Sequence, residues 1–133
     1  MKALIVDDQI DNRKLLRDIL ESHATCDLVS NGLEAVKTFE MELTGGEPYD
    51  LVLLDIMMPV MDGQEALKQM RAVEREQKVP ASEEAVIIMV TALDSPKPVT
   101  EAFFKGFCTD YVSKPLRPKV LLDKLAEYGL IEA

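Results

Sequence analysis

The chain has 133 residues, of which 47% are hydrophobic and 29% charged, and its formal net charge is −9. That length suits one domain, residues 1–133, with a single substantial core, and the composition excludes disordered and collagen-like classes. The acidity argues against direct nucleic-acid binding, which needs clustered Lys and Arg, and against docking to an anionic membrane surface.

Ala3 to Val6 reads as a first strand that runs straight into Asp7-Asp8. Charge arrives too soon after Met1 for a signal peptide, and no apolar run approaches membrane-spanning length, so a cytoplasmic protein without membrane insertion is expected. Asp11 or Asn12 can cap a helix to about Ser22, with Leu15, Leu16, Ile19 and Leu20 at helical spacing. His23, the sole histidine, follows this helix and reads as an incidental surface residue. Cys26 to Val29 is the second strand, ended by Asn31-Gly32, and Leu33, Val36, Phe39 and Leu43 line a helix to about Thr44. Cys26 and Cys108, in or beside strand patterns, read as small buried thiols rather than a disulfide.

Gly45-Gly46-Glu47-Pro48 is a turn signal, and Asp50 to Leu54 is a third strand, apolar on both faces. A Met-rich loop, Ile56 to Met61, leads to Asp62, a cap candidate for a helix from about Gly63 to Glu76. Lys78 to Glu84 is a polar connector, and Ala85 to Val90 the fourth strand. After an Asp94 to Pro98 loop comes a helix from about Val99 to Lys105, stopped by Gly106. Asp110 to Val112 is the fifth strand; Leu116 to Tyr128 is the last helix, with Pro118 in its first turn and Gly129 past its end. Strand and helix alternate without linker or repeat, which implies a parallel sheet covered by helices on both faces.

In such open sheets functional groups gather outside the carboxyl ends of the strands, and four of the five apolar runs end at a group capable of chemistry. These groups are Asp7-Asp8, Asp55, Thr91 and Lys114. Three carboxylates brought together repel one another, and a divalent cation relieves that repulsion. Oxygen-only ligands, few and partly open to water, suit Mg²⁺ better than zinc or copper. An ion held this way can also bind phosphate oxygens, for which Lys114 and Thr91 supply a cation and a hydroxyl. No Ser, Cys or His stands out as a nucleophile, which leaves the Asp55 carboxylate to attack phosphorus and become an acyl phosphate.

The segments Val6-Asp7-Asp8, Leu53 to Gly63, Val90-Thr91-Ala92 and Tyr111-Val112-Ser113-Lys114-Pro115 together resemble the receiver domain of two-component response regulators, over Lys2 to about Tyr128. The resemblance implies an α/β, flavodoxin-like, doubly wound parallel sheet of five strands in the order 2-1-3-4-5 with five helices. It implies Asp55 as phosphoacceptor, Asp8 as a direct Mg²⁺ ligand, Asp7 acting largely through water, and Met57 contributing its backbone carbonyl. Lys114 would pair with the phosphoryl group, Thr91 would swing to hydrogen-bond it, and Tyr111 would be the aromatic switch. The Lys114-Pro115 bond is a candidate cis peptide. Implied partners are a sensor histidine kinase or histidine phosphotransfer protein, together with a downstream protein the sequence does not identify. The chain's end at Ala133 leaves no room for an output module, so a stand-alone switch or a relay intermediate is expected, with a receiver excised from a longer protein as the alternative.

Two departures from the family pattern stand out. Met57 and Leu93 place apolar side chains two residues after Asp55 and Thr91, beside the path of hydrolytic water, which predicts slow self-dephosphorylation. Phe107-Cys108-Thr109-Asp110 stands where a glycine and small or polar residues are usual, so the adjoining partner face is expected to be unusual. A Mg²⁺-dependent aspartyl phosphatase would need a second acid at the Met57 position. An FMN-binding module would need a hydroxyl- and glycine-rich phosphate loop where Asp7-Asp8-Gln9 stands.

Overall fold

A computed structural model describes residues 1–56, 58, 60–91 and 108–132, apart from the side chain of Thr91. The strands β1 (Lys2–Val6), β2 (Thr25–Val29), β3 (Leu51–Asp55), β4 (Val86–Thr91) and β5 (Asp110–Ser113) form one sheet ordered β2-β1-β3-β4-β5. Every pairing is parallel. The helices are α1 (Ile10–Leu20), α2 (Gly32–Thr44), α3 (Gly63–Glu76) and α4 (Pro118–Glu127), with a short 3₁₀ turn at Ala81–Glu83. Four α-helices therefore stand among the described residues where five were expected, and the helix expected at 99–105 lies outside them. Among the described residues no helix is long and apolar enough to cross a membrane.

Strand side chains alternate between the two faces of the sheet, and the core divides accordingly. Leu4, Val6, Val52, Leu54, Ile87 and Met89 pack with α2 and α3 through Phe39, Leu67 and Met70. Ala3, Ile5, Leu51, Leu53, Ile88 and Val90 pack with α1 and α4 through Leu16, Leu20, Leu121 and Leu125. Burial on both faces explains the continuous apolar character of β3, all five of whose residues are buried. Each fully buried Leu or Ile contributes roughly 1.5–3 kcal/mol, so this double core fixes the sheet edge on which the polar groups stand.

Several boundaries and faces differ from the sequence expectation. The N-cap of α1 is Gln9, which makes no side-chain cap bond, and Asp11 sits in the first turn. The helix therefore starts ahead of Asp11 and Asn12 and ends at Leu20, short of Ser22. Leu15 and Leu33 are exposed, because on α1 and α2 the buried stripe runs through Leu16 and Leu20 and through Ala35 and Phe39. The last helix starts at Pro118, two residues later than expected. Cys26 and Cys108 form no disulfide, as expected, but both are only half-buried. His23 is exposed.

The loop after β3 holds a backbone feature that the sequence does not display. Val60 sits at φ 70°, in the left-handed region, which costs a β-branched residue roughly 1–2 kcal/mol. Its side chain is 78% exposed, so no packing offsets that cost. Val60→Gly is expected to stabilise the protein by about 1 kcal/mol, net of the greater chain entropy of glycine. Denaturant unfolding of the two proteins checks this, and an unchanged or lower midpoint contradicts it.

Candidate functional site

Asp7 and Asp8 leave β1, Asp55 ends β3, Thr91 ends β4 and Lys114 follows β5. Parallel register brings these ends level: Val6 lies opposite Leu54, Asp55 opposite Val90, and Thr91 opposite Ser113. Asp7, Asp8, Asp55 and Lys114 thus share the carboxyl edge expected from the sequence. The backbone of Thr91 closes β4 there, whereas Met57 and Leu93 lie outside the described residues.

One carboxylate oxygen from each of Asp7, Asp8 and Asp55 lies within 4.8 Å of the others. Asp7 is 1% exposed and Asp55 5%, whereas Asp8 faces solvent. Lys114 Nζ stands 3.4 Å from Asp55 Oδ1 and 3.8 Å from Asp7 Oδ2. The Lys114-Pro115 peptide bond is cis. Burial pushes the Asp55 carboxyl above its usual pKa, and the Asp7 carboxylate pushes the same way; the Lys114 ammonium opposes both without cancelling them. Two buried carboxylates and a third at the rim therefore form a negative cradle that a single lysine only partly neutralises.

The donor set fits a hard divalent cation. Oxygens in one octahedral Mg²⁺ shell are about 3–4 Å apart, given metal–oxygen distances of about 2.1 Å. A trio within 4.8 Å needs only small side-chain adjustments to close around an ion. Asp8, Asp55 and, directly or through water, Asp7 are the residues that would hold it.

Three supporting groups were not anticipated. The Gln9 N–H donates to Asp7 Oδ1 at 2.9 Å, and Arg13 Nη1 donates to the Asp7 main-chain carbonyl at 2.6 Å. Gly63, expected only as the start of α3, lies against the backbone of Asp55. A Cβ on Gly63 would stand 2.1 Å from the Asp55 carbonyl oxygen, closer than any side chain can approach. The Gly63 N–H donates to the Ile56 carbonyl at 2.9 Å, and the Asp62 side chain caps α3 by accepting from Glu65 N–H. The start of α3 is thereby clamped to the strand end that carries Asp55. The Asp-Gly dipeptide is visible in the sequence, but the close approach it permits is a tertiary fact.

Tyr111 lies in β5 opposite Met89, half-buried against the core on the α2 and α3 side of the sheet. Together with Lys114, Arg117, Val120 and Lys124 it lines a groove of about 380 Å³ between β5 and α4. Asp110, just before it, accepts hydrogen bonds from Lys124 Nζ at 2.9 Å and from the Tyr128 hydroxyl at 2.8 Å. Burial alone would raise the Asp110 pKa, but the bonds from Lys124, Tyr111 N–H and Tyr128 outweigh it and hold the carboxyl below its usual range.

The family model described as "Response regulator receiver domain" matches residues 3–126. The chain is 36% identical over 128 residues to the chemotaxis protein CheY of Listeria monocytogenes, covering 94% of this chain and 95% of that protein. It is similar to the receiver domain of a Pseudomonas aeruginosa sensor histidine kinase, solved with a magnesium ion coordinated in its active-site cleft. The TM-score is 0.75 at 29% identity, covering 96% of this chain and 95% of that one. It also resembles the receiver domain of the Saccharomyces cerevisiae response regulator Ssk1, solved with the histidine phosphotransfer protein Ypd1. There the TM-score is 0.79 at 31% identity, covering 100% of this chain and 91% of that one. Longer curated relatives are matched only in part: the chain spans 6%, 51% and 21% of the length of three of them.

Proposed function

This chain belongs to the receiver-domain family of response regulators, and we propose that it is a cytoplasmic signalling switch driven by phosphorylation of Asp55. The observation that carries the reading is the acidic trio with Lys114 Nζ 3.4 Å from Asp55 Oδ1. In the proposed step an Asp55 oxygen attacks the phosphorus of a phosphohistidine on a sensor kinase or histidine phosphotransfer protein. The P–N bond breaks, the imidazole leaves with a proton from solvent, and Asp55 becomes an acyl phosphate. Lys114 neutralises a phosphoryl oxygen, and the Thr91 hydroxyl donates a hydrogen bond to another. Asp8, Asp55, the Met57 carbonyl and, through water, Asp7 would hold a Mg²⁺ ion, which would supply further charge neutralisation when bound.

Tyr111 is the proposed readout. It shares the β5–α4 groove with Lys114, so its reorientation when Thr91 moves would reshape a surface offered to a downstream protein. Residues 1–133 would act as one receiver domain, either as a switch that binds a downstream protein or as a relay that passes the phosphoryl group on. The Ssk1 receiver, solved with a phosphotransfer protein, supports that class of partner. Turnover of an external substrate is not expected, because a phosphatase would need a second acid where Met57 stands.

Incubation with acetyl phosphate and Mg²⁺, followed by intact mass, tests the reading. One phosphoryl is expected on the wild type and none on Asp55→Ala. Decay should be slow, since neither Met57 nor Leu93 can orient a hydrolytic water. No adduct on the wild type overturns the function, and loss of the adduct as fast as it forms overturns the lifetime argument.

A further inference from the structure

We infer that Arg13 is a positioning residue for the divalent-cation site, gripping the main-chain carbonyl of Asp7 and thereby fixing the turn that carries Asp7 and Asp8; this rests on the proposed metal-dependent function. Asp7 lies after β1 and before α1, so its carbonyl belongs to neither backbone ladder. A buried peptide group in such a place needs partners. Asp7 N–H donates to the Val29 carbonyl at 3.2 Å, which ties the turn to the end of β2. Arg13 Nη1 supplies the opposite anchor at 2.6 Å, reaching back from α1 to the Asp7 carbonyl. With the Gln9 N–H on Asp7 Oδ1, the residue is held through its amide, its carbonyl and one carboxylate oxygen. Asp7 Oδ2 is the oxygen turned toward Lys114.

The partner that Arg13 chooses separates its role from simple charge balance. The ion pairs of the described residues do not include Arg13. Its guanidinium bonds a neutral carbonyl although three carboxylates gather close by. A guanidinium fork suits this task, being rigid and always charged. Groups that orient metal ligands from outside the coordination shell typically change metal affinity by roughly 10–100-fold when removed.

The two roles predict opposite signs. If Arg13 acted only as a nearby positive charge, its removal would strengthen cation binding, because a repulsive term would vanish. If it positions the turn, its removal weakens binding despite that gain. Mn²⁺ serves as the probe, its free ion counted by electron paramagnetic resonance, with Mg²⁺ as competitor and a thermal melt of each variant as the folding control. Arg13→Ala is expected to weaken Mn²⁺ binding about tenfold. Arg13→Lys, which retains a charged donor, should recover part of the loss. Arg13→Gln carries the same comparison if the alanine variant melts below the assay temperature. Unchanged or tighter Mn²⁺ binding by a folded Arg13→Ala or Arg13→Gln overturns the inference. A wild type that binds no Mn²⁺ overturns the metal-site reading itself, and this inference with it.

Discussion

Glu74→Ala is expected to lower stability by about 3 kcal/mol, the cost of leaving a buried ion pair with one partner. Glu74 is 2% exposed on α3. Its Oε1 accepts from Arg71 Nη1 at 2.7 Å and its Oε2 from the Ala85 N–H at 2.8 Å. Arg71 Nη1 also donates to the Ala85 carbonyl at 2.9 Å, and Arg71 Nη2 lies 3.5 Å from Thr109 Oγ1. Thr109 in turn accepts from Ile87 N–H at 3.1 Å. One carboxylate therefore joins α3 to the start of β4 and, through Arg71, to the approach to β5. Truncation strips the guanidinium of its carboxylate and leaves the Ala85 N–H without this acceptor. The effect falls at the lower end of the usual range because Arg71 keeps its bond to the Ala85 carbonyl. For a chain of this size the melting temperature should fall by about 10 °C. Glu74→Gln, which keeps an acceptor for Ala85, should lose less. A Glu74→Ala variant within about 0.5 kcal/mol of the wild type would mean that the pair does not couple these elements.

The second large effect runs the other way. Asp55→Asn is expected to be more stable than the wild type at neutral pH without divalent cation, although it lacks the proposed acceptor carboxylate. The Asp55 carboxyl is raised above its usual pKa, first by burial and next by Asp7. A carboxyl raised in the folded state makes its ionisation a cost to folding. That cost is absent below the unfolded value, about 3.9, where the group is protonated in both states. It grows as pH rises through the folded value and is complete above it. Asparagine removes the cost, so the advantage of the variant should be present at neutral pH and vanish in acid. Mg²⁺ held at the proposed site would stabilise the folded wild type by mass action, which should narrow the gap. Melting curves across pH, with and without Mg²⁺, check all three trends. A variant less stable than the wild type at neutral pH without Mg²⁺ would contradict the electrostatic account.

The repeated run from apolar strand to polar terminus made most of the fold readable from the sequence. Alternation fixed the parallel sheet, and the strand ends at Asp7, Asp55 and Lys114 marked the edge on which the site is built. Local chemistry was equally legible where a short side chain answers a nearby backbone group, as at the Asp62 cap and at Pro118 in the first turn of α4. It failed at α1, whose start follows from the turn leaving β1 and uses no side-chain cap. Long side chains hid more. Arg13 and the Arg71–Glu74 pair look like solvated helix charges until the chain folds and brings a carbonyl or a strand end within reach. Tertiary approach also lay beyond reading, as where Gly63 meets the Asp55 backbone.

Identifying the phosphorylated residue tests the central claim most directly. The wild type, treated with acetyl phosphate and Mg²⁺, would be reduced with borohydride, digested and sequenced by tandem mass spectrometry. Hydride converts an aspartyl phosphate to homoserine with release of phosphate, leaving a permanent mark at the acceptor. Homoserine at position 55, and absent when Mg²⁺ is chelated, is the predicted result. Homoserine at Asp7 or Asp8 instead, or at no aspartate, would contradict the assignment of Asp55 as the switch.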